Sequence, residues 1–262
     1  LGEVIVVTSG KGGVGKTTTT ANIGMALAMM NKQVVLLDAD IGLRNLDVAL
    51  GLENRIVYDI IDVIEGYCRL RQGLIKDRRY ESLYLLPAAQ TKDKSSLSPQ
   101  EMVELTNELR EEFDYVLIDS PAGIEQGFKN AIAGADQAII VTTPEITAVR
   151  DADRIIGLLE AQGLDNPALI VNRIRPNMVK RGDMLDIDDI LEHLAIDLLG
   201  IVPDDEAVVA GNNKGEPVVS SNGNVAGTAY KNIARRLLGE QVPLMDLYQN
   251  EKFLGKLKRL FS

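Results

Sequence analysis

Short apolar runs rich in Val and Ile recur along the 262 residues, separated by longer stretches whose apolar positions repeat with helical spacing. The runs predict strands at about 3–8, 33–38, 83–88, 114–119, 137–142, 168–172 and 197–202. Most are apolar at successive positions, as strands buried on both faces of a parallel sheet must be. The intervening pattern predicts helices near 16–30, 99–112, 125–133, 145–162, 186–195 and 225–239, with Asn107 and Asp151 among the polar residues away from the apolar stripe. Alternating strand and helix defines an α/β fold, a doubly wound and mostly parallel sheet with helices on both faces. Ligands of such sheets sit beyond the carboxyl ends of the strands, so the loops there are where chemistry is sought.

Residues 240–251 follow Gly239 and contain Pro243, which marks a connector. The reading is therefore one domain over 1–239, a connector, and a tail at 252–262. The tail differs in charge. The whole chain carries a net charge of −10, yet 252–262 holds four basic side chains and no acid, leaving −14 on the rest. At about 100° per residue, Phe253, Leu254, Leu257, Leu260 and Phe261 share an arc of about 120°, while Lys256, Lys258 and Arg259 lie outside it. A basic amphipathic helix of this kind suits an in-plane anchor on an anionic membrane surface. The alternative is a terminal helix that packs its stripe on the domain.

Composition narrows the classes further. The longest apolar run, Met25–Met30, is far shorter than the roughly 18 residues a membrane span needs. The first strand begins almost at once, without a basic segment and apolar core of a secretion signal, so a cytoplasmic chain is expected. An acidic chain without Trp argues against coating nucleic acid by charge and stacking. Cys68 is the single cysteine, so a one-chain disulfide or zinc–cysteine framework is excluded and a buried apolar role is expected. The single His193 falls in a helical stretch and reads as a helix-surface residue.

The strong chemical signal follows the first strand. Gly10-Lys-Gly-Gly-Val-Gly-Lys-Thr-Thr18 satisfies the phosphate-loop spacing in its required strand–loop–helix setting. Gly10, Gly12, Gly13 and Gly15 let the backbone turn its N–H groups, that of Val14 among them, around an anion. The helix N-terminus adds favourable partial charge. Lys16 is placed to reach the β- and γ-phosphates, and the hydroxyl of Thr17 to bind Mg²⁺, with Thr18 closing the motif. Val116-Leu-Ile-Asp119 is a strand ending in a carboxylate where a P-loop protein holds Mg²⁺. Asp38 and Asp40 end and follow the second strand. Strand alternation puts them on one side, about 7 Å apart. One could serve the metal and the other a water, although ordinary loop carboxylates have the same spacing.

Lys11 is a second lysine at the start of the loop, where a solvated side chain would be the simplest reading. With its neighbours, however, Lys11-Gly-Gly-Val-Gly-Lys-Thr-Thr18 resembles the deviant Walker A motif of the ParA/MinD family of ATPases. Further stretches resemble its division-site-selecting branch: Asp38–Asp47, Asp119–Glu125, Arg150–Arg154, Lys180–Leu185, Gly215–Pro217 and the tail. The resemblance implies an Mg²⁺-dependent, slow ATPase that forms a homodimer with ATP and lies peripherally on the inner face of the plasma membrane. It implies that Lys11 acts across the dimer, Asp40 positions the attacking water, and Thr17, Asp38 and Asp119 serve Mg²⁺. Asn172, Arg173 and the segment Pro203, Asp204, Asp205 and Glu206 would contact adenine. Asn45, Asp151 and Asp153 would lie where the division inhibitor MinC and the regulator MinE bind. The neighbouring expectation is a partition ATPase of the same family that binds DNA, which the negative domain and apolar tail face disfavour. A nucleotide-gated scaffold with negligible turnover is a further alternative, and Asp40 favours hydrolysis.

Overall fold

A computed structural model describes residues 1–92 and 96–245. In chain order the elements begin β1 (Glu3–Thr8), α1 (Lys16–Met29), β2 (Val34–Asp38), α2 (Leu46–Leu50), α3 (Ile60–Ile64) and α4 (Leu70–Gly73). There follow β3 (Ile75–Lys76), β4 (Leu83–Leu86), α5 (Pro99–Glu112), β5 (Tyr115–Asp119), α6 (Gln126–Ile132) and β6 (Gln137–Thr142). The chain continues with α7 (Ile146–Glu160), β7 (Ala168–Ile174), α8 (Pro176–Lys180), α9 (Ile187–Leu194), β8 (Leu198–Pro203), α10 (Glu206–Lys214) and α11 (Val225–Leu237).

The strands form one sheet in the order β3-β4-β2-β5-β1-β6-β7-β8. Every neighbouring pair is parallel except the short antiparallel pair β3 and β4 at one edge. The doubly wound α/β sheet expected from the sequence is therefore present. Alternation sorts the core into two layers. Val4, Val6, Val35, Leu37, Val116 and Ile118 face α5, α6 and α7, and α9 covers the same face further along. Ile5, Val7, Leu36, Leu117 and Ile139 face α1, α2 and α11. α1 is nearly all buried because it lies between the sheet and α11, so its small side chains (Ala21, Gly24, Ala26, Ala28) permit close packing. α5 starts as its sequence suggests: Ser98 and Glu101 form a capping box around Pro99 at the first turn.

The predicted elements match the main strands and long helices to within a few residues. β3, α2, α3, α4, α8 and α10 are additional. Cys68 is half-buried rather than fully buried, and burial raises its thiol pKa. His193 is exposed near the end of α9, as expected for a helix-surface residue. Among the described residues no helix is long and apolar enough to cross a membrane. The membrane helix predicted over 252–262, and residues 246–251 of the connector, lie outside the described residues.

The parallel register brings the carboxyl ends of β1, β2, β5 and β6 to one edge, with β1 flanked by β5 on one side and β6 on the other. That is the switch point of a doubly wound sheet, where a crevice opens. Leu36, fully buried between β2 and α1, holds this arrangement from one side. Leu36→Ala is expected to lower unfolding stability by about 2–5 kcal/mol in urea titrations; a loss under about 1 kcal/mol would mean that the layer packs loosely.

Candidate functional site

The loop from Ser9 to Gly15 leaves β1 at the switch point and runs into α1. Gly15 is in the left-handed region (φ 95°), where L side chains are strained, and a Cβ there would lie 2.3 Å from Asn172 Nδ2. A Cβ on Gly10 would lie 2.3 Å from the carbonyl oxygen of Asp151. The glycines thus let the loop seat against β7 on one side and α7 on the other. Asn172 fastens this seat by donating to the Val14 carbonyl (2.8 Å), while its own oxygen accepts from Arg173 N–H (2.9 Å).

At the base of the loop, the Asp119 carboxylate gathers three side chains. Lys16 Nζ donates to Oδ1 at 2.9 Å, Thr17 Oγ1 to Oδ2 at 2.7 Å, and Thr20 Oγ1 to Oδ1 at 3.3 Å. Lys16 and Asp119 are both buried. Asp38 lies beside Asp119 in register across β2 and β5 and is fully buried as well. It accepts from the N–H groups of Asp40 (3.0 Å), Asn45 (3.2 Å) and Leu46 (3.1 Å). Burial, and next the neighbouring charge of Asp119, push the Asp38 carboxyl up to about 7, against the lowering effect of the Asp40 and Leu46 amides.

Asp40 lies just beyond the end of the second strand. β2 ends at Asp38, whose side chain bonds the Asp40 N–H and turns the chain. Asp40 consequently lines an open cleft of about 420 Å³ above the loop, with Ser9, Gly12, Thr17, Asn45 and Arg173. A second hollow of about 300 Å³ adjoins it, sharing Gly15, Thr18, Arg173 and Asn212, and is lined by Asn172, Pro203, Asp204 and Asp205. Within it Asp204 pairs with Arg175 Nε at 2.6 Å. The Asp205 carboxylate is engaged in capping, accepting from Ala207 N–H in α10 and from Val225 and Ala226 N–H in α11. Glu206 opens α10. Lys11 lies at the cleft rim, 3.4 Å from Thr147 Oγ1 and 3.9 Å from Glu145 Oε2 of α7 and its approach. Asn45 is exposed at the start of α2, Asp153 is exposed on α7, and Asp151 is half-buried under Gly10.

Three contributors were not singled out from the sequence. Thr20 joins the Asp119 cluster through the helical i, i+4 step from Lys16. Asn212 of α10 donates to Thr18 Oγ1 at 3.0 Å, and Arg175 pairs with Asp204. Thr20 had a local signal, four residues beyond Lys16 on the same helical face. The other two partners depend on packing that no local pattern encodes.

A glycine loop, a buried lysine and strand-end carboxylates at the sheet's switch point define a P-loop nucleotide-binding domain. Residues 5–218 match the model of the CobQ/CobB/MinD/ParA nucleotide binding domain. Over 265 aligned residues the chain is 60% identical to the septum site-determining protein MinD of Bacillus subtilis, covering 100% of this chain and 99% of that protein. The structure is similar to the MinC:MinD cell division protein complex of Aquifex aeolicus (TM-score 0.85, 52% identity, 93% and 99% of the two chains). It is also similar to MinD complexed with Mg-ADP from Pyrococcus horikoshii (TM-score 0.82, 28% identity, 90% and 96%). The chain belongs to the CobQ/CobB/MinD/ParA family of nucleotide-binding ATPases and, within it, to the septum site-determining MinD proteins.

The raised Asp38 pKa has a thermodynamic consequence. Below about 3.8, the ordinary aspartate value, Asp38 is protonated in both states and this contribution is fully present. As pH rises toward about 7 the unfolded chain releases the proton first, so the contribution is lost. In nucleotide-free, EDTA-treated protein, the Tm difference between Asp38→Asn and the parent is therefore expected to move in the variant's favour from pH 5 to pH 8. A pH-independent difference would contradict a buried charge at Asp38.

Proposed function

We propose that this chain is a slow, Mg²⁺-dependent ATPase that dimerises on ATP, attaches to an anionic membrane in that form, and holds the division inhibitor MinC there until hydrolysis releases it. Control of septum placement follows from where the ATP form accumulates, with a MinE-type regulator accelerating its loss. The observation that carries the reading is the convergence of Lys16 and Thr17 on Asp119, directly beneath the glycine loop.

The donor set fits a hard cation. Thr17, Asp38 and Asp119 present oxygens only, and two carboxylates with a hydroxyl match an ion that keeps water and takes its remaining ligands from phosphate. An Mg²⁺ held there would neutralise developing charge on the nucleotide's phosphates. The protein's own groups do the rest. Lys16 exchanges Asp119 for phosphate oxygens, and the N–H groups of Gly12, Gly13, Val14, Gly15, Thr17 and Thr18 cradle the anion. Asp40, at the cleft wall, orients the attacking water. Asn172, Arg173 and the Pro203–Glu206 segment frame adenine in the adjoining hollow.

Lys11 acts in trans on this reading. Its partners in the single chain, Thr147 and Glu145, are at long distances and exposed, so the side chain is released at small cost when a partner's phosphates approach. Asn45 lines the cleft, and Asp151 and Asp153 belong to α7, the helix that Lys11 contacts through Thr147; on this reading they contribute to a partner surface assembled with the dimer. In support, the Aquifex aeolicus MinD relative is seen in a MinC:MinD complex and the Pyrococcus horikoshii one with Mg-ADP.

The tail supplies the membrane step. A segment this short is not a stable helix alone in water, and each basic residue contributes about 1 kcal/mol near an anionic surface, so one copy holds weakly. Two copies on one dimer raise avidity by about 10²–10⁴ without a new contact. Co-sedimentation with anionic vesicles is expected to pellet the full chain with ATP, and neither the full chain with ADP nor a chain ending at Glu251. Lys11→Ala is expected to remove the ATP dependence. Pelleting of that variant as well as the parent would overturn the dimer link, and equal pelleting with ADP the gating.

A further inference from the structure

Gly215-Glu-Pro217, far from the phosphate loop in sequence, has no part in the chemistry described above. In the fold it meets α2. A Cβ on Gly215 would lie 2.4 Å from Gly51 Cα, and a Cβ on Gly51 would lie 2.9 Å from the Gly215 carbonyl oxygen. Both glycines are left-handed (φ 65° and 67°) and end helices, Gly215 after α10 and Gly51 after α2. Two helix C-termini are thereby pressed together, and their last carbonyls need a donor.

Arg79 supplies it. Its Nη1 donates to the Gly215 carbonyl (3.0 Å) and its Nη2 to the Leu50 carbonyl (2.8 Å). The guanidinium is aimed by Asp77, which is fully buried, accepts from Arg79 Nη2 (2.8 Å) and Nε (3.3 Å), and also takes the backbone N–H groups of Arg79 and Tyr80. One planar cation thus ties α2 to α10, with a buried carboxylate fixing its orientation.

Both helices contribute to the cleft wall. The N–H groups of Asn45 and Leu46, at the start of α2, hold Asp38, and Val48 and Ala49 line the cleft. On α10, Asn212 bonds Thr18 of the phosphate loop, and Val208 and Val209 line the adjoining hollow. α10 has no fully buried residue, so apolar packing alone does not hold it, whereas α2 is seated in the core by Leu46 and Leu50 and gives α10 a fixed neighbour.

We propose that Arg79 is a positioning residue for the nucleotide: through the Gly51–Gly215 contact it sets the separation of the α2 and α10 walls, and so the affinity of the cleft. The inference rests on reading the cleft as a nucleotide site. A lysine keeps the charge but cannot present the same rigid fork to two carbonyls and a carboxylate.

The test is a titration of the full chain with a fluorescent ATP analogue and Mg²⁺, at a temperature where circular dichroism shows each variant fully folded. Arg79→Lys is expected to raise Kd roughly fivefold or more, through loss of charge-assisted bonds that hold two elements together. Gly215→Ala, which forces the helices apart, is expected to do the same. The double variant is expected to be no weaker than the worse single one, because both changes break one contact. Arg71→Ala, which removes an exposed arginine paired with Glu112, is the control and is expected to leave Kd unchanged. If Gly215→Ala does not fold, Arg79→Lys alone decides. Parent-like affinity in a folded Arg79→Lys chain, or a double variant that multiplies the two effects, would overturn the clamp. A parent that binds no nucleotide would overturn the site reading and the clamp with it.

Discussion

Two aspartates, Asp38 and Asp119, stand in register at the ends of adjacent buried strands, and the site is organised around the cost of keeping that charge out of water. Unpaired, such groups are expensive. The chain compensates with Lys16, two threonine hydroxyls and a set of backbone amides, delivered from two separate parts of the fold. Lys16, Thr17 and Thr20 come from the first turns of α1, while the amides around Asp38 come from the turn into α2. The glycine loop is shaped as it is because it has to bring α1 onto Asp119 while staying seated on Asn172 and Asp151.

From that constraint the proposed mechanism follows with few additions. A carboxylate that holds Lys16 and Thr17 in the free chain keeps both groups within reach of the position where a triphosphate would lie. The loop does not have to find them when nucleotide enters; they exchange one anion for another. The same economy extends outward. Asp38 turns the chain so that Asp40 faces the cleft, and it anchors α2, whose far end meets α10 and Arg79. Membrane attachment and partner binding, on the proposed reading, are consequences of dimer formation at this cleft rather than separate devices in the domain.

Much of this was legible in the chain. The long strands were readable because Val and Ile fill both faces of a covered parallel sheet, and the phosphate loop because its spacing is local. Asp119 was readable as a carboxylate ending an apolar run. Its neighbour Asp38 was readable as a strand end, but their adjacency was not, since it depends on β2 pairing with β5. The turn after Asp38 was not readable from alternation, which presumes a continuing strand, because it is made by the Asp38 side chain accepting from the Asp40 N–H. α10 escaped notice because Glu206–Lys214 has no clear apolar stripe and holds Gly211, Asn212 and Asn213; it is held by the Asp205 cap, Gly215 and Arg79. β3 is two residues long, too short for any period to register. The Asn212–Thr18 bond spans 194 residues and has no local signal.

The most direct test of the central claim is a crystal structure of the full chain with Mg²⁺ and a non-hydrolysable ATP analogue. The account expects Lys16 Nζ to have left Asp119, from its 2.9 Å contact in the free chain, for phosphate oxygens, with Asp119 and Thr17 turned toward the cation. A nucleotide bound while Lys16 remains on Asp119, or phosphates lodged away from the glycine loop, would contradict it.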